Sequence, residues 1–69
     1  MYHCKGKTEW PELLGVWGNV AAATIEAENP HVKARIVKKG WAVTHDFRCD
    51  RVWVWVDEDG HVFMVPRIG

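Results

Sequence analysis

The sequence predicts an α+β domain in which one helix packs on a small mixed β-sheet. Helical spacing over residues 16–29, strand-like patterns over 32–38 and 51–57, and a long connection over 40–51 are the observations behind this prediction. The wide connection indicates that the two strands it joins are parallel, because antiparallel neighbours need no such length. The chain of 69 residues is expected to be a single domain, 1–69.

Before the sheet, the chain is predicted to form an arm, a short helical turn and the helix. Residues 1–9 are polar and have no periodicity, which is typical of an arm. Pro11 suits the first position of a helical turn, because an N–H at that position has no partner within the helix and proline has none to leave unpaired. Gly15 is expected to end this turn. The buried side of the turn is expected to consist of Trp10, Leu13 and Leu14.

The helix is predicted over residues 16–29, where apolar residues recur at helical spacing around an alanine-rich centre of high helix propensity. Asn29 precedes a proline and is therefore pushed out of the helical region, which ends the helix. The inward stripe is expected to consist of Val16 (or Trp17), Val20, Ala21, Thr24 and Ile25.

Two segments have the pattern of strands. Residues 32–38 alternate, and Val32, Ala34 and Ile36 are predicted to point inward. Residues 51–57 are rich in β-branched and aromatic residues, with valines on one face and tryptophans on the other. Two apolar faces indicate either a strand at the centre of the sheet or a tryptophan face that packs under another segment.

After this strand, an acidic Asp-Gly segment at 57–60 predicts a turn. Residues 61–65 then predict the returning strand of a hairpin, and residues 66–69 end the chain without a predicted element.

The composition excludes several kinds of partner. Lysines plus arginines and aspartates plus glutamates number nine each, so the formal net charge is zero, which argues against nucleic acid. The five tryptophans are better explained as large buried area in a short chain than as stacking platforms. No apolar run approaches the ~20 residues that span a bilayer, and no signal peptide is visible. We expect a monomer.

The two cysteines, Cys4 and Cys49, suit a disulfide in an oxidising compartment, since small scaffolds often need a covalent staple. Such a bridge would stabilise the fold by roughly 4 kcal/mol in the chain-entropy model. The alternative is two free thiols in a reducing compartment.

Metal binding and catalysis are weak alternatives. His3 and His45 could gather with the two cysteines, but the usual zinc-ligand spacings are absent, so we expect no metal and no other cofactor. A catalytic set could be drawn from Cys49, His45, Asp46 and Asp50. However, neighbouring side chains of an extended segment point in opposite directions, and 69 residues rarely build a pocket with its supports. We therefore expect no enzyme.

The 40–51 segment is the unusual feature of the chain. It contains few residues that close compact turns, which predicts an extended, exposed loop, and long loops on small scaffolds are often functional. A loop of this kind can bind a serine protease as an added strand, and it inhibits if it is held in its bound shape. Arg48 and Arg51 could fold back onto Asp46 and nearby carbonyls, or they could be solvated surface charges.

The chain resembles the potato inhibitor I family of serine protease inhibitors over nearly its whole length. The resemblance lies in three segments together, the opening 7–15, the loop 43–48 with Asp50-Arg51-Val52 after it, and the ending 65–69. The cysteines resemble the family's branch of seed trypsin inhibitors with one bridge. The resemblance implies a secreted, vacuolar or seed-storage location and a role in plant defence or the response to wounding.

The resemblance also implies roles for individual residues. The reactive bond is expected between His45 and Asp46, with His45 in the specificity pocket of the protease. The remaining protease-binding loop residues are Trp41, Ala42, Val43, Thr44, Phe47 and Arg48. The loop supports are expected to be Arg51, Trp53 and Gly69, together with the Cys4–Cys49 bridge. Other family members have a second arginine at the position of Trp53.

One departure concerns the target. Related trypsin inhibitors carry Lys or Arg where His45 stands, and an imidazole is shorter and mostly uncharged near pH 8. Trypsin, whose pocket ends in a carboxylate, should therefore bind weakly, and subtilisin-like or chymotrypsin-like enzymes are the expected targets. The alternative is a storage or interaction protein on the same fold, with a drifted loop that no longer inhibits.

Overall fold

The computed structural model describes residues 3–69, so Met1 and Tyr2 of the predicted arm lie outside the described residues. A 3₁₀ turn precedes one α-helix and three strands: Pro11–Leu13, α1 (Gly18–Glu28), β1 (Lys33–Lys38), β2 (Arg51–Val56) and β3 (Arg67–Ile68). The sheet order is β1-β2-β3, with β1 parallel and β3 antiparallel to β2. The predicted α+β fold, with a parallel pair joined by a long loop, is confirmed.

The central strand β2 organises the core. Val52 and Val54 have no solvent exposure, and the tryptophans at 53 and 55 on the opposite face are half-buried. The predicted division of β2 into a valine face and a tryptophan face is therefore confirmed. The core cluster packs the valine face against the helix and the first turn, and it comprises Trp10, Leu13, Ala21, Ile25, Val32, Val52, Val54, Val56, Val62 and Ile68.

The first turn forms where proline predicted it, and Gly15 leaves it with a φ of +81°, which glycine adopts at low cost. Trp10 and Leu13 are buried as expected. The prediction for Leu14 was wrong, since its side chain is 47% exposed. Leu14 has already left the 3₁₀ turn, and its extended backbone, with a ψ of 133°, takes the side chain to solvent.

The helix begins two residues later than predicted and buries three positions. Gly18, Ala21 and Ile25 are its buried positions. Of the predicted alternatives, Val16 packs half-buried against the core, whereas Trp17 is 54% exposed. Val20 is 49% exposed, so its predicted inward placement was wrong. The stripe shifts because Gly18 lets the helix approach the sheet closely. With 11 residues, α1 is too short to cross a membrane, and no other described helix is longer.

The strand β1 lies at the edge of the sheet, which explains two departures from its predicted alternation. Ile36 was expected inside but is 44% exposed, because only one neighbouring strand covers it. Val37, on the opposite face, is 4% exposed and stands in register with Trp55. Glu26 of α1 accepts a hydrogen bond from the Ala34 N–H at 2.9 Å and so satisfies part of the open edge.

The predicted strand at 61–65 is wrong, because this segment makes only isolated bridges. The strand β3 forms instead within residues 66–69, for which the sequence predicts no element. Val62 is hydrogen-bonded to the segment before the helix. Its N–H donates to the Val16 carbonyl, and its carbonyl accepts from the Gly15 N–H, both at 2.8 Å. The predicted turn at 57–60 forms, with Gly60 at a φ of +90°.

The close approach at Gly18 yields a stability prediction. A Cβ atom built there would lie 2.6 Å from Cγ1 of Val56, a side chain that is itself buried. We expect Gly18→Ala to destabilise the fold by about 1–3 kcal/mol in urea unfolding, despite the better helix propensity of alanine. The control Asn19→Ala, at an exposed neighbouring position, should change stability by less than about 0.5 kcal/mol. A Gly18→Ala variant as stable as the parent would contradict this packing.

Candidate functional site

The loop between β1 and β2 is exposed and irregular. Residues 41–48 form no helix, strand or turn, and their side chains are exposed except for the half-buried Val43. Cys49, in the turn that follows, is also half-buried. No non-glycine residue in the described chain has a positive φ, so the loop contains no such strain. The Lys33 N–H donates to the Asp50 carbonyl at 2.8 Å, which fixes the end of the loop to the start of β1.

Arg51, the first residue of β2, reaches back to the loop. Its Nη2 donates to the Asp46 carbonyl at 2.6 Å and lies 3.4 Å from the Asp46 carboxylate, while Nη1 donates to the Thr44 hydroxyl at 3.3 Å. Its side chain is only 12% exposed, whereas that of Asp46 is 54% exposed. One guanidinium therefore holds the residues on both sides of His45.

The Arg51 guanidinium is itself held from two sides. Its Nε donates to the Gly69 carbonyl at 2.8 Å, and the Gly69 N–H donates to the Arg51 carbonyl at 2.9 Å. Its carbon Cζ lies 4.5 Å from the centroid of a Trp53 ring, within the range of a cation–π contact. The structure thus brings Gly69, Trp53, Thr44 and Asp46 together around Arg51, and Trp53 contacts the loop through this arginine.

Arg48 does not join this network. Its Nε and Nη2 donate to the two carboxylate oxygens of Asp50 at 2.9 and 2.8 Å, in the bidentate geometry that arginine favours. Both side chains are more than half exposed, so this pair adds little stability. Of the two arginines that could fold back onto the loop, only Arg51 contacts Asp46.

The charges around the loop favour the ionised form of its carboxylates. A hydrogen bond from the Thr44 hydroxyl is the main cause that lowers the pKa of Asp46, and the Arg51 charge acts in the same direction. The hydrogen bonds from Arg48 likewise lower the pKa of Asp50. Asp46 is therefore an anion at neutral pH, and its charge stays paired with Arg51.

The two cysteines form a disulfide, with Cα atoms 5.1 Å apart, which excludes the alternative of free thiols. Cys49 lies at the C-terminal end of the loop, and Cys4 packs, half-buried, against the core cluster. The loop is thus linked to the N-terminal arm, as the resemblance implied.

Sequence reasoning missed the residue that holds this arm. Asn29 was interpreted only as the end of the helix, yet its side chain is fully buried and bonds residues 5 and 7 of the arm. A buried asparagine just after a helix signals hydrogen bonds to be satisfied, but nothing in the sequence identifies the partner.

Two other predicted loop positions carry exposed aromatic side chains. Trp41 follows the turn at 39–40, and its N–H donates to the Lys38 carbonyl at 2.9 Å. Its ring is 58% exposed, with the Lys38 ammonium 5.7 Å away. Phe47 is 45% exposed. Both are therefore accessible side chains on the loop surface.

One group among residues 3–69 has ligand atoms close enough for a metal ion, namely Asp57, Asp59 and His61, within 4.8 Å of one another. Here Asp57 accepts the N–H groups of Asp59 and His61 at 3.0 and 2.9 Å. The His61 N–H is the main cause that lowers the pKa of Asp57. The hydrogen bonds that Asp57 accepts therefore close the turn at 57–60.

Taken together, the fold is a small disulfide-linked scaffold that presents an extended loop held from beneath by an arginine. Residues 3–69 match the family model for the potato inhibitor I family. The chain therefore belongs to the potato inhibitor I family, which makes it a protease inhibitor rather than an enzyme.

Similar proteins agree with this assignment. The chain is 56% identical over 66 residues to an inhibitor of trypsin and Hageman factor from Cucurbita maxima, covering 96% of this chain and 97% of the relative. It is 58% identical over 66 residues to a Glu S. griseus protease inhibitor from Momordica charantia, covering 96% and 97%. The crystal structure of bitter gourd trypsin inhibitor matches with a TM-score of 0.94 and 54% identity, covering 99% of this chain and 100% of the other.

The two arginines provide a matched test of the loop geometry. Arg51→Lys removes the forked contacts to Thr44 and Asp46, because an ammonium group is a point donor. We expect the NMR order parameters of residues 44–46 to fall from about 0.85 to below about 0.6. Arg48→Lys should leave these values unchanged, since Arg48 pairs only with Asp50. Equal order parameters in the two variants would show that Arg51 does not hold the loop.

The lowered pKa of Asp46 gives a second test. We expect the Asp46 carboxyl to titrate below its ordinary value of 3.8 and Thr44→Val to raise its pKa, while the pKa of Asp50 stays unchanged. Because the folded-state pKa is depressed, the stabilising contribution is present above the unfolded-state value and is lost as the pH falls through the folded-state value. Carboxyl-carbon NMR titration of the parent and of Thr44→Val measures the pKa of both carboxyl groups. An Asp46 pKa that is the same in the two proteins would exclude the Thr44 hydrogen bond.

Proposed function

We propose that this protein inhibits serine endopeptidases in a substrate-like manner, with His45–Asp46 as the reactive bond. The observation that carries the proposal is the double hold of Arg51, which bonds Thr44 before His45 and Asp46 after it. A loop fixed on both sides of one exposed residue resembles a bound peptide substrate in its shape. It therefore loses little conformational freedom when it binds as an added strand in the protease cleft.

The same hold explains inhibition in place of digestion. When the protease serine attacks the His45 carbonyl, the Asp46 amine becomes the leaving group. The contacts of Arg51 to the Asp46 carbonyl and the disulfide at Cys49 keep this amine beside the acyl-enzyme. The amine then attacks the acyl group again at a high effective concentration, so the bond is remade before water can enter.

The proposed target class follows from the residue at the centre of the loop. His45 is exposed, and within residues 3–69 it makes no hydrogen bond or ion pair that restricts its side chain. Its imidazole is shorter than a lysine side chain and carries no permanent charge, so it suits the larger, less charged pockets of subtilisin-like and chymotrypsin-like enzymes better than that of trypsin. The relatives above are named for different proteases, which supports a scaffold whose target is set by the loop. We further propose that the loop surface from Trp41 to Arg48 makes the remaining contacts.

The disulfide fits an oxidising compartment. We propose a secreted, vacuolar or seed-storage location, with the protein acting as a monomer in plant defence against proteases. This part of the proposal can be tested by the oligomeric state in solution and by fractionation of the source tissue.

The direct test is a titration of subtilisin, chymotrypsin and trypsin at pH 8, with mass spectrometry of each mixture. We expect stoichiometric inhibition of subtilisin or chymotrypsin, weak inhibition of trypsin, and one slow cut between His45 and Asp46. Rapid digestion at many bonds with no inhibition would refute the proposal and favour a storage or interaction protein on the same fold.

A single substitution tests the assignment of His45. We expect His45→Lys to strengthen trypsin inhibition by about 100-fold, or about 2.7 kcal/mol, because a lysine pairs with the carboxylate in the pocket. The melting temperature should not change, since the side chain is exposed. As a control, Phe47→Lys adds the same charge two residues away and should not strengthen trypsin inhibition comparably. Unchanged trypsin affinity in His45→Lys would exclude this residue as the specificity residue.

A further inference from the structure

We infer that Asn29 is a positioning residue for the loop, acting through the N-terminal arm and the disulfide without touching the loop itself. The effect on a protease rests on the proposed function, whereas the mechanical link from Asn29 to Cys49 rests on the contacts alone. The link has three parts: the buried amide, the arm and the disulfide.

The Asn29 amide holds the arm by two hydrogen bonds. Its Nδ2 donates to the Lys5 and Lys7 carbonyls at 2.8 and 2.9 Å, while its Oδ1 accepts the His31 N–H at 2.9 Å. Its side chain is 0% exposed, so water does not reach the amide that donates these bonds. The arm is thus fixed on either side of residue 6.

Gly6 shows how closely the arm fits around this amide. It has a φ of +77°, and a Cβ atom built there would lie 2.9 Å from Nδ2 of Asn29 and 3.0 Å from its Cγ. A glycine is needed for both the backbone conformation and the space. The arm therefore curves around the Asn29 side chain with atoms in direct contact.

The other contacts of the arm with this region are weaker. Lys7 forms ion pairs with Glu12 and Glu28, but all three side chains are 40% or more exposed. Exposed ion pairs contribute little to stability. The buried Asn29 amide is thus the stronger restraint on residues 5–7.

This restraint determines what the disulfide can do. Cys4 directly precedes the segment that Asn29 holds, and its partner Cys49 lies three residues after Asp46. A bridge to a fixed arm removes conformations of the loop, but a bridge to a moving arm removes few of them. Asn29 therefore allows the disulfide to brace the loop as well as to link two segments.

Two variants break the restraint from opposite sides. Asn29→Asp removes both donors to the arm and keeps the acceptor for the His31 N–H. Gly6→Ala leaves Asn29 intact but forces a methyl group against its amide, which serves if the buried carboxylate of the first variant prevents folding. The matched control is Gly15→Ala, which has a comparable φ of +81° and no atom within 4 Å of the added Cβ.

The first measurement needs no protease. Equilibration with reduced and oxidised glutathione gives the effective concentration of the Cys4 and Cys49 thiols for each other. We expect this concentration to fall about tenfold in Asn29→Asp and Gly6→Ala relative to Gly15→Ala, because the arm no longer holds Cys4 in place. Equal effective concentrations in Gly6→Ala and Gly15→Ala would overturn the inference, whether or not the protein inhibits any protease.

The second measurement is the rate at which the inhibited protease cuts His45–Asp46, with the Cys4→Ser/Cys49→Ser pair as a second background. With the disulfide present, Gly6→Ala should speed cleavage about tenfold, and Gly15→Ala should not. Without the disulfide, Gly6→Ala should add nothing, although it still lowers overall stability. Equal acceleration in both backgrounds would show a merely structural role. If the parent protein inhibits no protease, the proposed function fails while the thiol measurement still decides the link.

Discussion

The Arg51 guanidinium is the interaction on which the presentation of the loop depends. It is the one described side chain that contacts Thr44, Asp46 and the Gly69 carbonyl together, at 3.3, 2.6 and 2.8 Å. Its direction is set by the register of β2, because the buried valines at alternate positions fix which face each neighbour occupies. A shift of one residue would turn Arg51 toward the core. The register of β2 that packs the core therefore also sets the geometry of the loop.

The loop is held at two points by different kinds of force. Arg51 acts near its centre through charge-assisted hydrogen bonds, and it is kept in place by the Trp53 ring and the chain end. Near the end of the loop the restraint is covalent, through Cys49 and the arm. A chain of 69 residues has only a small core, so burial of apolar surface does not hold the loop at either point. Directional hydrogen bonds and one disulfide hold the loop instead.

Sequence reasoning predicted the features that a local pattern determines. The alternation of β2, the length of the loop and the glycine at residue 15 led to the correct parallel pair and first turn. It was wrong where contacts between distant segments decide. Val20 is exposed because the helix packs through Gly18 against Val56, and Ile36 is exposed because β1 is an edge strand. In the site, the family resemblance implied Arg51 as a support, whereas residue spacing alone did not distinguish Arg51 from Arg48. That choice depends on the β2 register and on the competing carboxylate of Asp50.

The structure separates the residues that hold the loop from the residue that it presents. The hydrogen bonds of Arg51 end on Thr44 and on Asp46, including the Asp46 backbone, and skip the exposed residue between them. A side chain at position 45 can therefore change without removing a contact that fixes the loop, whereas a change at 44 or 46 alters the hold itself. Thr44 and Asp46 are thus constrained by the scaffold, whereas His45 is not.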